Sequence, residues 1–471
     1  MVAITRYLSD ASLSVREAAS DCLTKLHAPD YILLWGPPNR FMEFFWKISS
    51  EVQYTLAKQL LLEEKDQALK ILLELLKRIL TLRNQFLECH SDVTSQGIDI
   101  RERWQASVAL EVALLVLLCS SDTSICTLAI ECFGLLCNEV RLTEILDDYQ
   151  PLSTTIVQNM GCYTELTHHV SVVTGRKSQQ RRIRGSLRTA NPGSPGLSAA
   201  WEEVWRRWKR MTPLVVRSCE EMREESSEPN KKTGWHDKLR NTRHISSNIL
   251  TLPVDEDRSA EWQNYAGFLA ALGGVCLMTA QNEEFTTSQS SSTNSYCRSD
   301  STTMVEQFVM KMVELLACDN LMVREWVREI LGNDLSSALY HILFRDLEVT
   351  MSNGFSHESK NEPICSSRYA LFVEQTVSVL KLILDRTTDK SESLFVLDFS
   401  TLIRLCTFYV NKLPNDTASM KMKIKLCQLI EVLMAKKDRI ILRQEFRLRN
   451  KLLEIITEWT SDYLITKVSF P

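Results

Sequence analysis

The chain has few of the residues that break helices: 14 Gly and 12 Pro among 471 positions. Strand-like alternation of apolar and polar residues is almost absent too, which leaves an all-helical protein as the class that the pattern allows. The most apolar run, Val108–Cys119, is interrupted by Glu111 and is too short to cross a bilayer, so it reads as a buried central helix. The 14 Cys contain no CxxC pair or regular framework, and most sit in apolar helical stretches. They read as reduced thiols acting as small core residues. No secretory leader is visible. These features predict a cytoplasmic chain, with membrane recruitment or partial nuclear residence as alternatives. Phosphate-binding loops, zinc-protease helices and nucleophile elbows are missing, and the eight His form no ligand spacing. No catalytic, cofactor-binding or metal residue is assigned. The net charge of −4 excludes a generally basic nucleic-acid binder.

What is present is a repeated spacing. Asp10 is followed by Val15-Arg16, Ala19 and Leu23; Asp122 by Ile125-Cys126, Ala129 and Phe133; Asp319 by Val323-Arg324, Val327 and Leu331. Each run places apolar side chains on one helical stripe, with an Asp where a turn ends and the first unpaired N–H groups begin. The Arg after the Val is expected to lay its stem along the groove and reach an acid in a neighbouring turn. Each run follows an apolar segment, as the second helix of a HEAT-type hairpin does. Such a unit cannot bury its own apolar face and stacks on copies of itself. The fold class is therefore an all-α, HEAT/armadillo-like helical-repeat solenoid with long disordered loops. Val15, Ile125 and Val323 are expected to be buried between helices.

Composition divides the chain further. Residues 1–170 read as N-terminal HEAT-like repeats, beginning with a unit that lacks its first helix. Residues 171–200 read as a basic flexible linker, and 201–282 as helices with a polar insertion at 224–257. A Ser/Thr-rich disordered loop at 283–303 precedes C-terminal HEAT-like repeats at 304–461 and a divergent tail at 462–471.

The linker is the sharpest functional feature. No acid occurs between Glu165 and Glu202, while Arg176, Lys177, Arg181, Arg182, Arg184 and Arg188 cluster there. Counted to Arg210, ten Lys/Arg face two Glu, a local charge of +8. Such a run is either a solvated loop or a dock for an acidic partner: a tubulin tail, an anionic membrane or a neighbouring subunit. Nucleic acid is not expected, because no aromatic residue stands between His169 and Trp201. Trp201, Trp205 and Trp208 share one helix face and read as core. Ser186, Ser194 and Ser246 are candidate phosphosites in predicted loops, and phosphate at Ser186 would offset part of the basic field.

Several blocks are similar to the neurofibromin family of Ras GTPase-activating proteins. They are Ala200-Trp-Glu-Glu-Val-Trp-Arg-Arg-Trp208, Gly267-Phe-Leu-Ala-Ala-Leu-Gly-Gly-Val-Cys-Leu277, Leu335-Ser-Ser-Ala-Leu-Tyr340, Phe372-Val-Glu-Gln-Thr376, Ile424–Met434 and Phe446–Trp459. They occur in the family's order across about residues 200–460. The resemblance implies a helical-repeat region N-terminal to the catalytic GAP domain, without that domain. GAP catalysis needs an arginine finger, and Phe446-Arg-Leu-Arg449 lacks the Pro-Ala continuation of the family's finger-supporting block. The first repeat and the tail are read as signs of a partial gene product or alternative ending. The implied role is a non-catalytic scaffold of a negative regulator of Ras signalling, regulated as a phosphoprotein. It would hold protein partners, reach Ras only through the missing GAP domain, and self-associate. An independent HEAT-type adaptor binding peptide or protein partners is the alternative.

Overall fold

The computed structural model describes residues 1–90, 100–143, 154–168, 175–227, 256–286, 298–356, 367–386, 398–414, 416–436, 440, 442 and 445–468. Regular structure among the described residues is helical throughout. Two compact units divide the chain, Met1–Ser292 and Thr293–Pro471.

In the first unit the helices form two rows. One row contains α1 (Val2–Thr5), which packs on α4 (Phe41–Leu62); the other contains α2 (Leu13–Leu26), which packs on α3 (Pro29–Ile32) and α5 (Asp66–Cys89). The first row continues through α6 (Ile100–Leu117) and the second through α7 (Thr123–Thr143). Alternation then changes. Both α8 (Ile156–His168) and α9 (Arg176–Leu187) extend the second row, and both α10 (Pro195–Ser227) and α11 (Glu256–Thr286) extend the first. The predicted linker is thus largely helix α9, a full member of the stack. The predicted insertion at 224–257 is also shortened, because α10 runs to Ser227 and α11 begins at Glu256.

The spacing of Leu69, Leu72, Leu73, Leu76, Ile79 and Leu80 buries one broad face of α5. Its contact with α7 is reinforced along its length by Lys70–Asp122 (2.6 Å), Lys77–Glu131 (2.9 Å) and Arg83–Glu139 (2.7 Å). The half-exposed pairs contribute little. Arg83 and Glu139 are buried, and Arg103 joins them at 3.8 Å from Glu139 while stacking over Trp46 at 4.3 Å. Burial alone would raise the Glu139 pKa, but the two guanidinium groups outweigh it and hold the carboxyl below its usual range.

Each sequence-matched turn shares a tie that differs from the expected ion pair. Arg16 Nη1 donates to the Asp10 carbonyl at 2.6 Å, and Arg324 Nη1 to the Cys318 carbonyl, each six residues back. In the middle repeat Cys126 Sγ takes that place, 3.5 Å from the Ser120 carbonyl. The guanidinium meets a turn carbonyl because the helix has already turned away from that group, leaving it without a helical donor. Capping also varies. Asp10 accepts from the Ser12 N–H and Asp122 from the Ser124 N–H, each at 2.8 Å, but in the third repeat Asn320, not Asp319, caps the helix. Ile125 and Val323 are fully buried, whereas Val15 is 36% exposed, contrary to expectation. Helix α2 is the first of its row, whereas α7, which carries Ile125, packs between α5 and α8.

The second unit alternates strictly. One row holds α12 (Arg298–Leu315), α14 (Tyr340–Ser356), α16 (Ser400–Asn411) and α18 (Glu445–Val468); the other holds α13 (Leu321–Glu329), α15 (Ser367–Arg386) and α17 (Thr417–Ala435). Two predicted boundaries move. The Ser/Thr-rich segment passes into α12 at Arg298, and α18 runs past the predicted tail boundary to Val468. A π-helical turn, Ile330–Asp334, continues α13. Arg386 donates to the Asn333 and Leu335 carbonyls at 2.8 and 3.0 Å, which satisfies the end of that turn. Gly332 lies so close to Leu382 that a Cβ would meet the leucine's own Cβ at 2.5 Å.

Val323→Ala should lower unfolding free energy by about 2 kcal/mol in denaturant titrations, and Val15→Ala by less than about 0.5 kcal/mol. Equal costs would contradict the assigned stacking. His27 is buried, and its Nδ1 lies 2.7 Å from the Leu23 carbonyl, to which it donates when neutral. Burial, with the Arg83 charge nearby, outweighs that bond and lowers the His27 pKa to about 4. The unfolded chain takes up this proton near the ordinary value of 6.5 and the folded chain does not. His27 therefore contributes full stability above pH 6.5, and the contribution falls away down to about pH 4. Thermal melts of His27→Gln across this window should lack that part of the decline.

Candidate docking surface

The apolar stripe of α9 explains why a run so rich in Arg forms a packed helix. Gln179, Gln180, Ile183, Ser186 and Leu187 recur at helical spacing and are buried. Gln180 Nε2 donates to the Leu118 carbonyl at 2.7 Å, and Gln179 Nε2 reaches the Thr127 hydroxyl at 3.2 Å. Helix α9 therefore closes over the α6–α7 turn with two side-chain amides. Charge density hid this stripe at the sequence level; the recurrence of Gln179, Ile183 and Leu187 was the available signal.

The six predicted docking cations separate on folding. Lys177 and Arg181 are exposed, four residues apart on one face. Arg176 is half-buried, 3.1 Å from the Asp257 carboxylate and 3.4 Å from the Ser121 carbonyl. Arg184 lies across Gly267, where any Cβ would overlap its side chain, which gives that glycine of α11 a steric reason. Arg182 and Arg188 are also half-buried. A patch of six thus becomes a face with two exposed cations. On α10, Arg206, Lys209 and Arg210 are exposed as well, with Glu203 bonded to Arg206 and Arg207.

The serine candidates fare differently from expectation. Ser186 is 3% exposed on the inner face of α9, and Ser194 is 1% exposed at the start of α10. Neither hydroxyl is open to a kinase in the folded chain, which corrects their placement in accessible loops. Ser246 lies outside the described residues. Trp201, Trp205 and Trp208 form a stacked row with Trp262 of α11. Trp201 Nε1 donates to the Leu269 carbonyl at 3.1 Å and Trp262 Nε1 to the Thr212 hydroxyl at 3.0 Å. The row is the α10–α11 interface.

A buried carboxyl that the sequence marked only as an interruption lies at the centre of this unit. Glu111 is fully buried, accepts from the Tyr163 hydroxyl, and presses against Gly196 at the start of α10. Burial pushes its pKa above the usual carboxylate range, against the opposing pull of the Thr155, Tyr163 and Ser194 hydroxyls. This joins α6, α8 and α10 at a single side chain. Among the described residues there is no group of three His, Cys, Asp or Glu placed to hold a metal, and no helix is long and apolar enough to cross a membrane.

No protein-family profile matches the chain. Inhibitory regulator protein IRA2 of Saccharomyces cerevisiae is 24% identical over 208 residues, covering 44% of this chain and 7% of that protein's length. The chain thus corresponds to a small part of that relative. An engineered protein of known crystal structure aligns over 92% of this chain and 93% of its own at 13% identity, with a TM-score of 0.19, too low to carry a structural argument.

The raised folded pKa of Glu111 favours its protonated form. Its contribution to stability is therefore present below the ordinary value of 4.5 and is lost as pH rises through the folded value. Glu111→Gln keeps the shape and removes the ionisation. Its stability relative to the parent should rise with pH above about 4.5 in denaturant titrations. A flat difference across pH would contradict the burial.

Proposed function

We propose that this chain is a non-catalytic, helical-repeat scaffold segment of a neurofibromin-like negative regulator of Ras signalling, acting in the cytoplasm. The observation that carries the reading is the 208-residue similarity to a protein named as an inhibitory regulator. The family-like blocks fit it, because several are structural joints. Gly267 accommodates Arg184, the tryptophans of 201–208 form the α10–α11 contact, and Leu335–Tyr340 follows the π-helical turn. Such residues serve stacking, and stacking presents surfaces to protein partners. Contact with Ras belongs, in this reading, to a GAP domain outside this sequence. The exposed Lys177 and Arg181 offer a point of attachment for an acidic surface, through a contact that weakens as salt rises.

The test is single-turnover hydrolysis of GTP on Ras with and without the purified chain. A GAP accelerates this reaction by about 10³–10⁵-fold through its arginine finger. The chain alone should leave the intrinsic rate unchanged within error. Acceleration that an Arg→Ala scan abolishes at one position would overturn the non-catalytic reading.

A further inference from the structure

Helix α9 keeps a glycine where the fold gives no reason for one. Gly185 lies inside the helix, which continues to Leu187, and Arg188 beyond it is still right-handed helical. The glycine therefore neither ends the helix nor turns the chain, and in such a position it weakens a helix relative to alanine. Other helical glycines are explained by contact. A Cβ at Gly134 would press on Thr167, at Gly196 on Glu111, at Gly267 on Arg184 and at Gly332 on Leu382. Gly175 and Gly193 have positive φ, and Gly161 follows the break in α8 at Asn159. At Gly185 a Cβ would meet nothing within 4 Å, and the residue is exposed. Its place in the helix is specific: Lys177, Arg181 and Gly185, all exposed, follow one another at intervals of four along the outer face.

We propose that this gap receives the phosphate of a phosphoserine or phosphothreonine on a partner protein, held by Arg181 with Lys177 one turn further along. Helical side chains lean toward the N-terminus, so the space that a side chain at 185 would fill lies over the preceding turn, beside Arg181. A phosphate there carries about −1.5 to −2 charges at pH 7, and a guanidinium bonds two of its oxygens at once. The sequence from Arg176 to Arg188 contains no acid to compete for Arg181. Neither Lys177 nor Arg181 has an ion pair among the described residues. The notch also separates a protruding anion from a flat one. An anionic bilayer meets the tips of long side chains, and a lysine or arginine at 185 would serve it better than glycine. A single tetrahedral group carried on a chain uses the opening, and a side chain there would block it. The inference narrows the acidic surface proposed above to one chemistry and rests on that reading.

The probe is a fluorescein-labelled peptide with one phosphoserine among Gly, Ala and Asp residues, titrated by anisotropy against the full chain beside its unphosphorylated twin. The phosphopeptide should bind about tenfold more tightly than the twin. Arg181→Ala should remove that preference. Gly185→Ala should weaken phosphopeptide binding about fivefold while raising the melting temperature, a pairing that a purely structural glycine would not give. Unchanged affinity in Gly185→Ala would overturn the proposal. Equal affinity for the two peptides, both lost in Arg181→Ala, would overturn the phosphate seat and leave the acidic-surface contact standing. Absence of saturable binding at roughly millimolar peptide would overturn both. Phosphatidylserine–phosphatidylcholine vesicles that bind Gly185→Arg more tightly than the parent, without competition from the phosphopeptide, would make a membrane the occupant and overturn the proposal as well.

Discussion

Each sequence-matched hairpin rests on one small interaction: the side chain six residues beyond a turn carbonyl returns to satisfy it. Arg16, Cys126 and Arg324 do this for Asp10, Ser120 and Cys318. A turn carbonyl facing protein rather than water costs free energy comparable to a lost hydrogen bond if left alone. Meeting it from the following helix fixes the angle at which that helix leaves the turn. With the angle set, the residue just before the returning one is buried in two of the three repeats, at Ile125 and Val323, but not at Val15 in the first. Cysteine serves in the middle repeat because the groove there is also closed by Gln180, whose amide reaches the Leu118 carbonyl and lies 3.6 Å from the Cys126 sulfur.

The two units use this hairpin differently. In the second, helices alternate between rows without exception among the described residues. In the first, α8 and α9 both join the second row before α10 and α11 return to the first. Position α9 therefore needs polar reach as well as apolar surface, and its glutamines and arginines provide that reach. Gln179 and Gln180 cover the α6–α7 turn, Arg176 meets Asp257, and Arg184 spans Gly267. What reads as a string of charges is mostly a set of long side chains bridging neighbouring helices.

Much of the fold was legible in the sequence because burial is periodic. The α5 leucines, the Ile125 and Val323 stripes and the tryptophan face each announced a packed helix. The candidate site was less legible. Charge density in α9 concealed its stripe, so Ser186 and Ser194 were placed in loops although both are buried. Val15 has the same local spacing as Ile125, and only the presence of a neighbouring helix distinguishes them. That information is tertiary, and no window of sequence contains it. Glu111 shows the same limit: a single acid in an apolar run signals an interruption, but its hydroxyl partner on α8 is 52 residues away along the chain.

The π-helical turn at Ile330–Asp334 ends its helix, because the chain becomes extended at Leu335. The closing bond runs over five residues, from the Leu335 N–H to the Ile330 carbonyl at 3.0 Å. Leu335 and Leu339, just beyond it, are both buried. Arg386 secures the turn from the neighbouring helix. With Leu382 pressed against Gly332 on one side and Arg386 holding two carbonyls on the other, this wider turn has no slack, and single-residue insertions or deletions should be tolerated least there.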